Sequence, residues 1–303
     1  MSITFSVSNK RGFLGFQKVL KISELLGFVD GLEPHPIQKE FMYLGLDKLA
    51  LLKCWVPAKS GRYIDLEYDK TQQTYNVRIL TPSTLADWSQ ALTLVSKLSS
   101  RLGTSVRDEH GREYSSSSIL VFPFQEDILL GLEDFLKSGY PLVYHDGVRR
   151  RIALSPQMVE GFLKEDNPAQ SYSDFFTTRQ YSGAYDAQSK FYGSEQSEKI
   201  LGTYTLTAGV DTILPLVPTL APEDTEYIDE LKLSWCCNLV GCDDADPDNL
   251  EKFFIYNRIA YSDFLDKLPE NMTQLFDAEK VLVSAMTFAQ MKALFEDCQE
   301  FVL

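Results

Sequence analysis

The chain has 303 residues, 44% hydrophobic and 24% charged, with 29 Lys+Arg against 43 Asp+Glu and a net charge of −14. That length and apolar content suffice for one or two cores. A negative excess of this size repels phosphate backbones and anionic lipid, which argues against nucleic acid and membrane as partners.

The excess is uneven. Residues 199–303 hold 7 cations against 19 acids, whereas residues 1–198 hold 22 against 24. A cation or a protein with a basic surface is therefore the partner that suits the C-terminal third. Lys10 and Arg11 follow the first apolar residues rather than precede them, so no secretory leader is expected. No apolar run approaches the roughly 20 residues that span a bilayer, and the sequence reads as a soluble, cytoplasmic protein. Cys54, Cys236, Cys237, Cys242 and Cys298 make an odd set, which favours reduced thiols over disulfides. Adjacent Cys236 and Cys237 would point to opposite faces of a strand, and none of His35, His110 and His145 is spaced with them for zinc.

In chain order, Tyr63–Tyr68 and Tyr75–Ile79 alternate apolar with polar residues across a polar connection and predict an antiparallel hairpin. Thr84 and Asp87 have capping-box spacing. Leu85, Trp88, Leu92, Val95, Leu98 and Leu102 share one helical face, and Gly103 stands where a helix C-terminus wants glycine. A turn is expected between Val106 and Tyr114, then a helix over 127–137 ending at Gly139. Tyr140–His145 and Val148–Leu154 flank Asp146-Gly147, a dipeptide that suits a two-residue type I′ turn. Ser155-Pro156 opens a further helix through Phe162. Val77–Gln157 contains two similar passages, Val77–Ser83 and Arg151–Gln157, each leading from a strand through hydroxyl-Pro into a helix; duplication and convergent helix openings explain them equally well.

Residues 166–198 are polar yet hold Tyr172, Phe175, Phe176, Tyr181, Tyr185, Phe191 and Tyr192. They are expected to form a connecting loop pinned by its rings, or a recognition loop. Beyond it, Lys199–Thr207 and Asp211–Leu216 suggest a hairpin. Tyr227–Leu239 suggests a strand with Leu231, Leu233 and Trp235 on one face, and Asn249–Asn257 and Phe288–Phe295 suggest helices. The expected class is α+β, with mainly antiparallel β-hairpins alternating with amphipathic helices. The regions are 1–165, a connecting loop 166–198 and an acidic α+β region 199–303 that either folds alone or packs with the first.

The chemistry-bearing candidates are few. Gly241–Asn249 places Asp243, Asp244, Asp246 and Asp248 together, an oxygen-rich set that hard cations favour. Counted from Asp244, however, Asn249 and Ile255 occupy the glycine and glutamate positions of a helix-loop-helix calcium site. Asp244, Asp246 and Asp248 are the metal candidates, weighed against a plain helix start. His110 and His145 read as turn residues. Arg149, Arg150 and Arg151, expected in a strand, could grip a phosphate or an acidic surface, though local pairing explains them. No phosphate loop, dinucleotide fingerprint or nucleophile elbow is present in the sequence, so no cofactor is expected beyond a divalent cation.

The opening Ile3–Lys10, the Trp88 helix and the Val106–Tyr114 turn resemble a family of bacterial proteins of about this length known only as a domain of unknown function. The resemblance implies a bacterial cytoplasmic protein and no particular chemistry. Two functions remain in view. One is a non-enzymatic protein-protein interaction protein, an adaptor or immunity-like binder, and the sequence leans this way. The other is a carboxylate-based or divalent-metal-assisted hydrolase with its site near 243–248.

Overall fold

The structure, a computed structural model, describes residues 1–12, 15–194, 197–221, 224–243 and 252–302. They form two compact units, Met1–Ser182 and Gly183–Leu303. The architecture is α+β with sheets that are predominantly antiparallel.

Unit 1 begins with β1 (Ser2–Ser8), a short ribbon of β2 (Arg11–Gly12) and β3 (Gly15–Phe16), and α1 (Ile22–Leu26). Then follow β4 (Glu33–Pro34), β5 (Leu52–Trp55), β6 (Ile64–Asp69), β7 (Thr74–Leu80), α2 (Leu85–Leu102), β8 (Val106–Asp108) and β9 (Glu113–Tyr114). Apart from the ribbon, these strands form one sheet in the order β4-β5-β6-β7-β1-β8-β9. Strand alternation decides its two faces. Phe5, Val7, Leu66, Val77 and Ile79 are buried on one. On the other, polar side chains pair across strands: Ser6 Oγ donates to Asn76 Oδ1 at 2.8 Å, Asn76 Nδ2 to Glu67 Oε1 at 3.0 Å, and Arg78 Nη2 to Asp65 Oδ2 at 2.5 Å.

Helix α2 lies where its sequence puts it. Thr84 Oγ1 accepts from Asp87 N–H, Asp87 Oδ2 accepts from Thr84 N–H, and Gly103 ends the helix in the left-handed region at φ 66°. Trp88, fully buried, stacks on Phe122 and Phe124 at 5.7 and 5.8 Å between centroids. Burial of a ring that size stabilises by about 5 kcal/mol.

The rest of unit 1 is α3 (Phe124–Ser138), β10 (Val143–Asp146), β11 (Arg151–Leu154), α4 (Pro156–Lys164) and α5 (Pro168–Gln180). Three expectations are corrected here. First, the β10–β11 hairpin pairs Asp146 with Arg151, so four residues, Gly147 to Arg150, form its loop instead of the two of a type I′ turn. The fully buried Gln180 from α5 holds that loop open by hydrogen bonds, a tertiary contact that overrides the local turn preference. Arg149 and Arg150 consequently sit in the loop, and only Arg151 is in a strand. Second, the two hydroxyl-Pro steps differ. Ser155 caps α4 with Pro156 in its first turn, whereas Thr81-Pro82 is a cis peptide lying before the Thr84 cap. Third, the first half of 166–198, expected as a loop, is the helix α5. Asn167 caps it, accepting from Gln170 N–H, and Tyr172 and Phe176 are buried along it.

Unit 2 comprises β12 (Tyr185–Asp186), β13 (Lys190–Ser194), β14 (Ser197–Thr207), β15 (Thr212–Pro215), β16 (Leu233–Gly241), β17 (Phe254–Ala260), α6 (Tyr261–Lys267), β18 (Thr273–Leu275), β19 (Lys280–Val283) and α7 (Phe288–Leu294). They make two four-stranded sheets, β13-β14-β16-β17 and β12-β15-β19-β18. The strands expected at 199–207 and 211–216 exist but do not pair as a hairpin. β14 runs parallel to β16, and β15 pairs with β12 and β19. The segment from Phe254 onward, expected as the end of a helix, is strand β17. Its branched and aromatic residues Phe254, Ile255, Tyr256 and Ile259 fit a pleated surface. The core of the unit gathers Tyr204, Leu239, Ile259, Phe264, Val283, Met291 and Phe295. Gly202 is required where it stands, because a Cβ there would lie 2.5 Å from the Trp235 ring. Helix α7 has the expected capping box between Thr287 and Gln290.

Candidate functional site

Asp244, Asp246 and Asp248 lie outside the described residues. The neighbouring Asp243 carboxylate is engaged by Lys292 Nζ, which also sits 4.4 Å above the Phe288 ring. Among the described residues, no three His, Cys, Asp or Glu side chains come together as a metal ion would need. Cys54, Cys236 and Cys237 are buried, and burial pushes the Cys236 thiol up to about 11 and the other two upward as well.

The histidines separate. His35 packs edge-on to Tyr63, 5.3 Å between centroids. His110 is exposed at the tip of a turn built by Asp108, which accepts from the backbone N–H of His110 and Arg112, from Arg112 Nε and from Tyr114 OH. His145 is buried in β10, and desolvation, with the Arg62 charge adding to it, pushes its pKa down to about 3. The imidazole is therefore neutral, with Nδ1 3.2 Å from Tyr172 OH.

His145 belongs to a buried polar cluster that sequence reading does not assemble. Tyr172 OH and Arg62 Nη1 both donate to Pro82 O, at 3.3 and 2.7 Å, and Arg62 Nε donates to Asp146 O. Asp87, fully buried, accepts from Gly61, Arg62 and Thr84 N–H and from Thr84 OH. Burial pushes its pKa up to about 6 against the pull of those donors. The cluster ties loops to the start of α2 and lies closed within unit 1.

The exposed chemistry lies in unit 2, between β15 and β16. Asp224 N–H donates to Ala221 O at 2.9 Å, and Asp224 O accepts from Tyr227 and Ile228 N–H at 3.1 and 3.0 Å. Asp229 then accepts from Leu231 N–H through Oδ1 at 3.1 Å, while its backbone O accepts from Lys232 N–H. Lys232 Nζ meets Glu198 at 3.1 Å, tying the end of the turn to β14. These bonds fix the backbone and leave Tyr227 83% and Leu231 97% exposed, framed by Asp224, Glu226, Asp229 and Glu230. Leu231 is the residue that the sequence places with Leu233 and Trp235 on one face of a strand. It lies instead in a single 3-10 turn (Glu230–Lys232), and β16 starts only at Leu233.

Ala221, which anchors the turn, also lines a cleft of about 530 Å³ between residues 187–189, the strap 215–221 and residues 278–280. The Lys280–Asp186 ion pair, 2.9 Å, lies at its wall, and burial raises the pKa of the Tyr204 hydroxyl within it. The turn presents Tyr227 and Leu231 next to Asp224, Glu226, Asp229 and Glu230, a surface suited to an apolar residue flanked by cations.

Fold and site thus define a two-unit α+β protein with an acidic, partly apolar outer turn. A family model described as a domain of unknown function (DUF4299) matches residues 2–294, and the chain belongs to that family. No curated protein and no solved structure matches it. No helix among the described residues is long and apolar enough to cross a membrane.

Proposed function

We propose that this is a non-enzymatic bacterial cytoplasmic interaction protein, an adaptor or immunity-like binder, whose acidic unit 2 docks a partner protein that has a basic surface. The observation that carries this is the turn 224–231, which holds Tyr227 and Leu231 out of the core and surrounds them with acids. A solvent-facing leucine is ordinary on its own. A tyrosine and a leucine on two successive hydrogen-bonded turns are a ready-made anchor, because the backbone that carries them is already ordered before binding. The acids speed and orient the encounter, and the apolar pair supplies the contact.

A labelled amphipathic peptide of alternating lysine and leucine serves as the probe. Its affinity should fall roughly tenfold between about 20 and 200 mM salt as screening tightens. Glu226→Lys with Glu230→Lys should abolish most of the binding at low salt, and Tyr227→Ser with Leu231→Ser should weaken it at every salt concentration. Asp263→Lys with Asp266→Lys on α6 makes the same change of net charge elsewhere in unit 2. Equal loss from that control would show that the peptide responds only to overall charge, and the site would be wrong.

A further inference from the structure

The loop Gly147–Arg150 is held more firmly than a surface turn requires. Gln180 Oε1 accepts from the N–H of Arg149 at 2.9 Å and of Arg150 at 3.1 Å, and Gln180 Nε2 donates to Arg150 O at 2.9 Å. The amide lies so close to Gly147 that a Cβ there would meet it at 2.3 Å. From the other side, Val148 N–H donates to Gly61 O and Tyr63 OH donates to Val148 O, both at 2.9 Å. Two consecutive arginines therefore leave a backbone that is hydrogen-bonded from both sides.

Their side chains, with Arg179, gather around the C-terminal end of α5. The Arg149 guanidinium lies 5.2 Å from the Tyr181 ring centroid, Arg150 donates to Ser182 O, and Arg179 lies 3.8 Å above the Phe175 ring. The negative end of the helix offsets part of their mutual repulsion. Among the described residues Arg149 makes no ion pair, although it is exposed. A guanidinium laid on a ring is oriented and partly desolvated, and its planar fork is positioned to meet a carboxylate with two parallel hydrogen bonds.

We propose that this loop docks an acidic segment of a partner protein, independently of the turn in unit 2. A single-stranded nucleic acid fits less well, since it needs open ring faces for its bases, and the faces of Tyr181 and Phe175 carry the guanidiniums. A short acidic segment also meets less repulsion than a polynucleotide from a chain of net charge −14.

The test titrates fluorescent octaglutamate into the full-length protein at about 20 and 200 mM salt, with an oligothymidylate of equal charge as comparison. Octaglutamate should bind at low salt and weaken roughly tenfold at high salt. Arg149→Glu should cost at least about tenfold, and Arg149→Lys, which keeps the charge but loses the fork, should fall between. Both variants should keep the thermal unfolding midpoint of the parent, since the side chain is exposed. No binding at low salt, or binding indifferent to Arg149→Glu, overturns the proposal. Oligothymidylate binding as tightly as octaglutamate overturns it in favour of a nucleic-acid surface.

Discussion

Unit 1, residues 1–182, balances 21 Lys+Arg against 21 Asp+Glu and takes polar groups into its interior; unit 2, residues 183–303, carries 8 against 22. Arg62, Asp65, Asp87, Asp108, His145 and Gln180 are all buried in the first. The second buries chiefly aromatic and aliphatic side chains, with Thr203, Thr212, Asn238 and Asp277 as its buried polar residues among those described. A buried polar group must find its partners, and in finding them it fixes local geometry: Gln180 fixes a loop and Asp87 fixes a helix start. An exposed charge also acts at a distance, through the field it adds to the surface. The contrast is between a unit that takes charged side chains into its interior and one that leaves nearly all of them outside.

The largest effect expected from this contrast lies in the apolar core of unit 2. Phe264 is fully buried and stacks on Phe295 at 5.6 Å. Phe264→Ala should destabilise unit 2 by about 3–5 kcal/mol through lost transfer and the cavity left behind. Hydrogen exchange followed by mass spectrometry should show the loss of protection confined to residues 183–303. An equal loss across 1–182 would mean that the two cores unfold as one, and the contrast would no longer separate two stabilities.

The polar interior of unit 1 should show itself in acid. His145 has its folded pKa pushed down to about 3, below its ordinary value near 6.5, so the unfolded chain binds the proton first. Stability from this residue is complete above about pH 6.5 and is lost as pH falls toward 3. Asp87, raised to about 6, works the other way: its burial favours the protonated form, so its contribution falls as pH rises from about 4 to 6. His145→Gln removes only the first effect. Measured by urea unfolding and referred to each protein's own value at pH 7, the variant should lose about 3 kcal/mol less than the parent on going to pH 4. Parallel pH profiles for the two proteins would show that His145 charges freely in the folded state.

What the sequence discloses follows the reach of the interactions involved. Helix α2 is fully legible because its determinants are local: Thr84 and Asp87 at one end, an apolar stripe, and Gly103 at the other. The β6–β7 hairpin is legible for the same reason, alternation on both sides of a polar turn. Asp87 shows where legibility stops. Its capping role is written in the spacing to Thr84, but its bonds to Gly61 and Arg62 come from some 25 residues away and leave no pattern. The parallel pairing of β14 with β16 is equally hidden, since neighbouring strands suggest a hairpin by default. The turn 224–231 is obscured by the alternation rule itself, which takes Leu231 with Leu233 and Trp235 onto one face. Asp229 and Glu230 immediately before Leu231 are the local signal against that reading, because Asp229 can hydrogen-bond the Leu231 N–H and open a turn there, as it does.

The smallest expected effect is the most discriminating for the outer turn. Tyr227 and Leu231 contribute almost no burial to unit 2, so Tyr227→Ser with Leu231→Ser should leave its unfolding free energy within about 0.5 kcal/mol of the parent. A rotationally averaged surface side chain would give the same null result, but a side chain held for a partner should give it together with weaker binding of the lysine-leucine peptide. Stability and binding thus move apart for this turn, whereas Phe264→Ala acts on stability. Should the double substitution destabilise unit 2 by 2 kcal/mol or more, well above the usual cost at an exposed site, the two side chains would be packing against the unit in solution, and the acid-framed anchor would not exist as a presented surface.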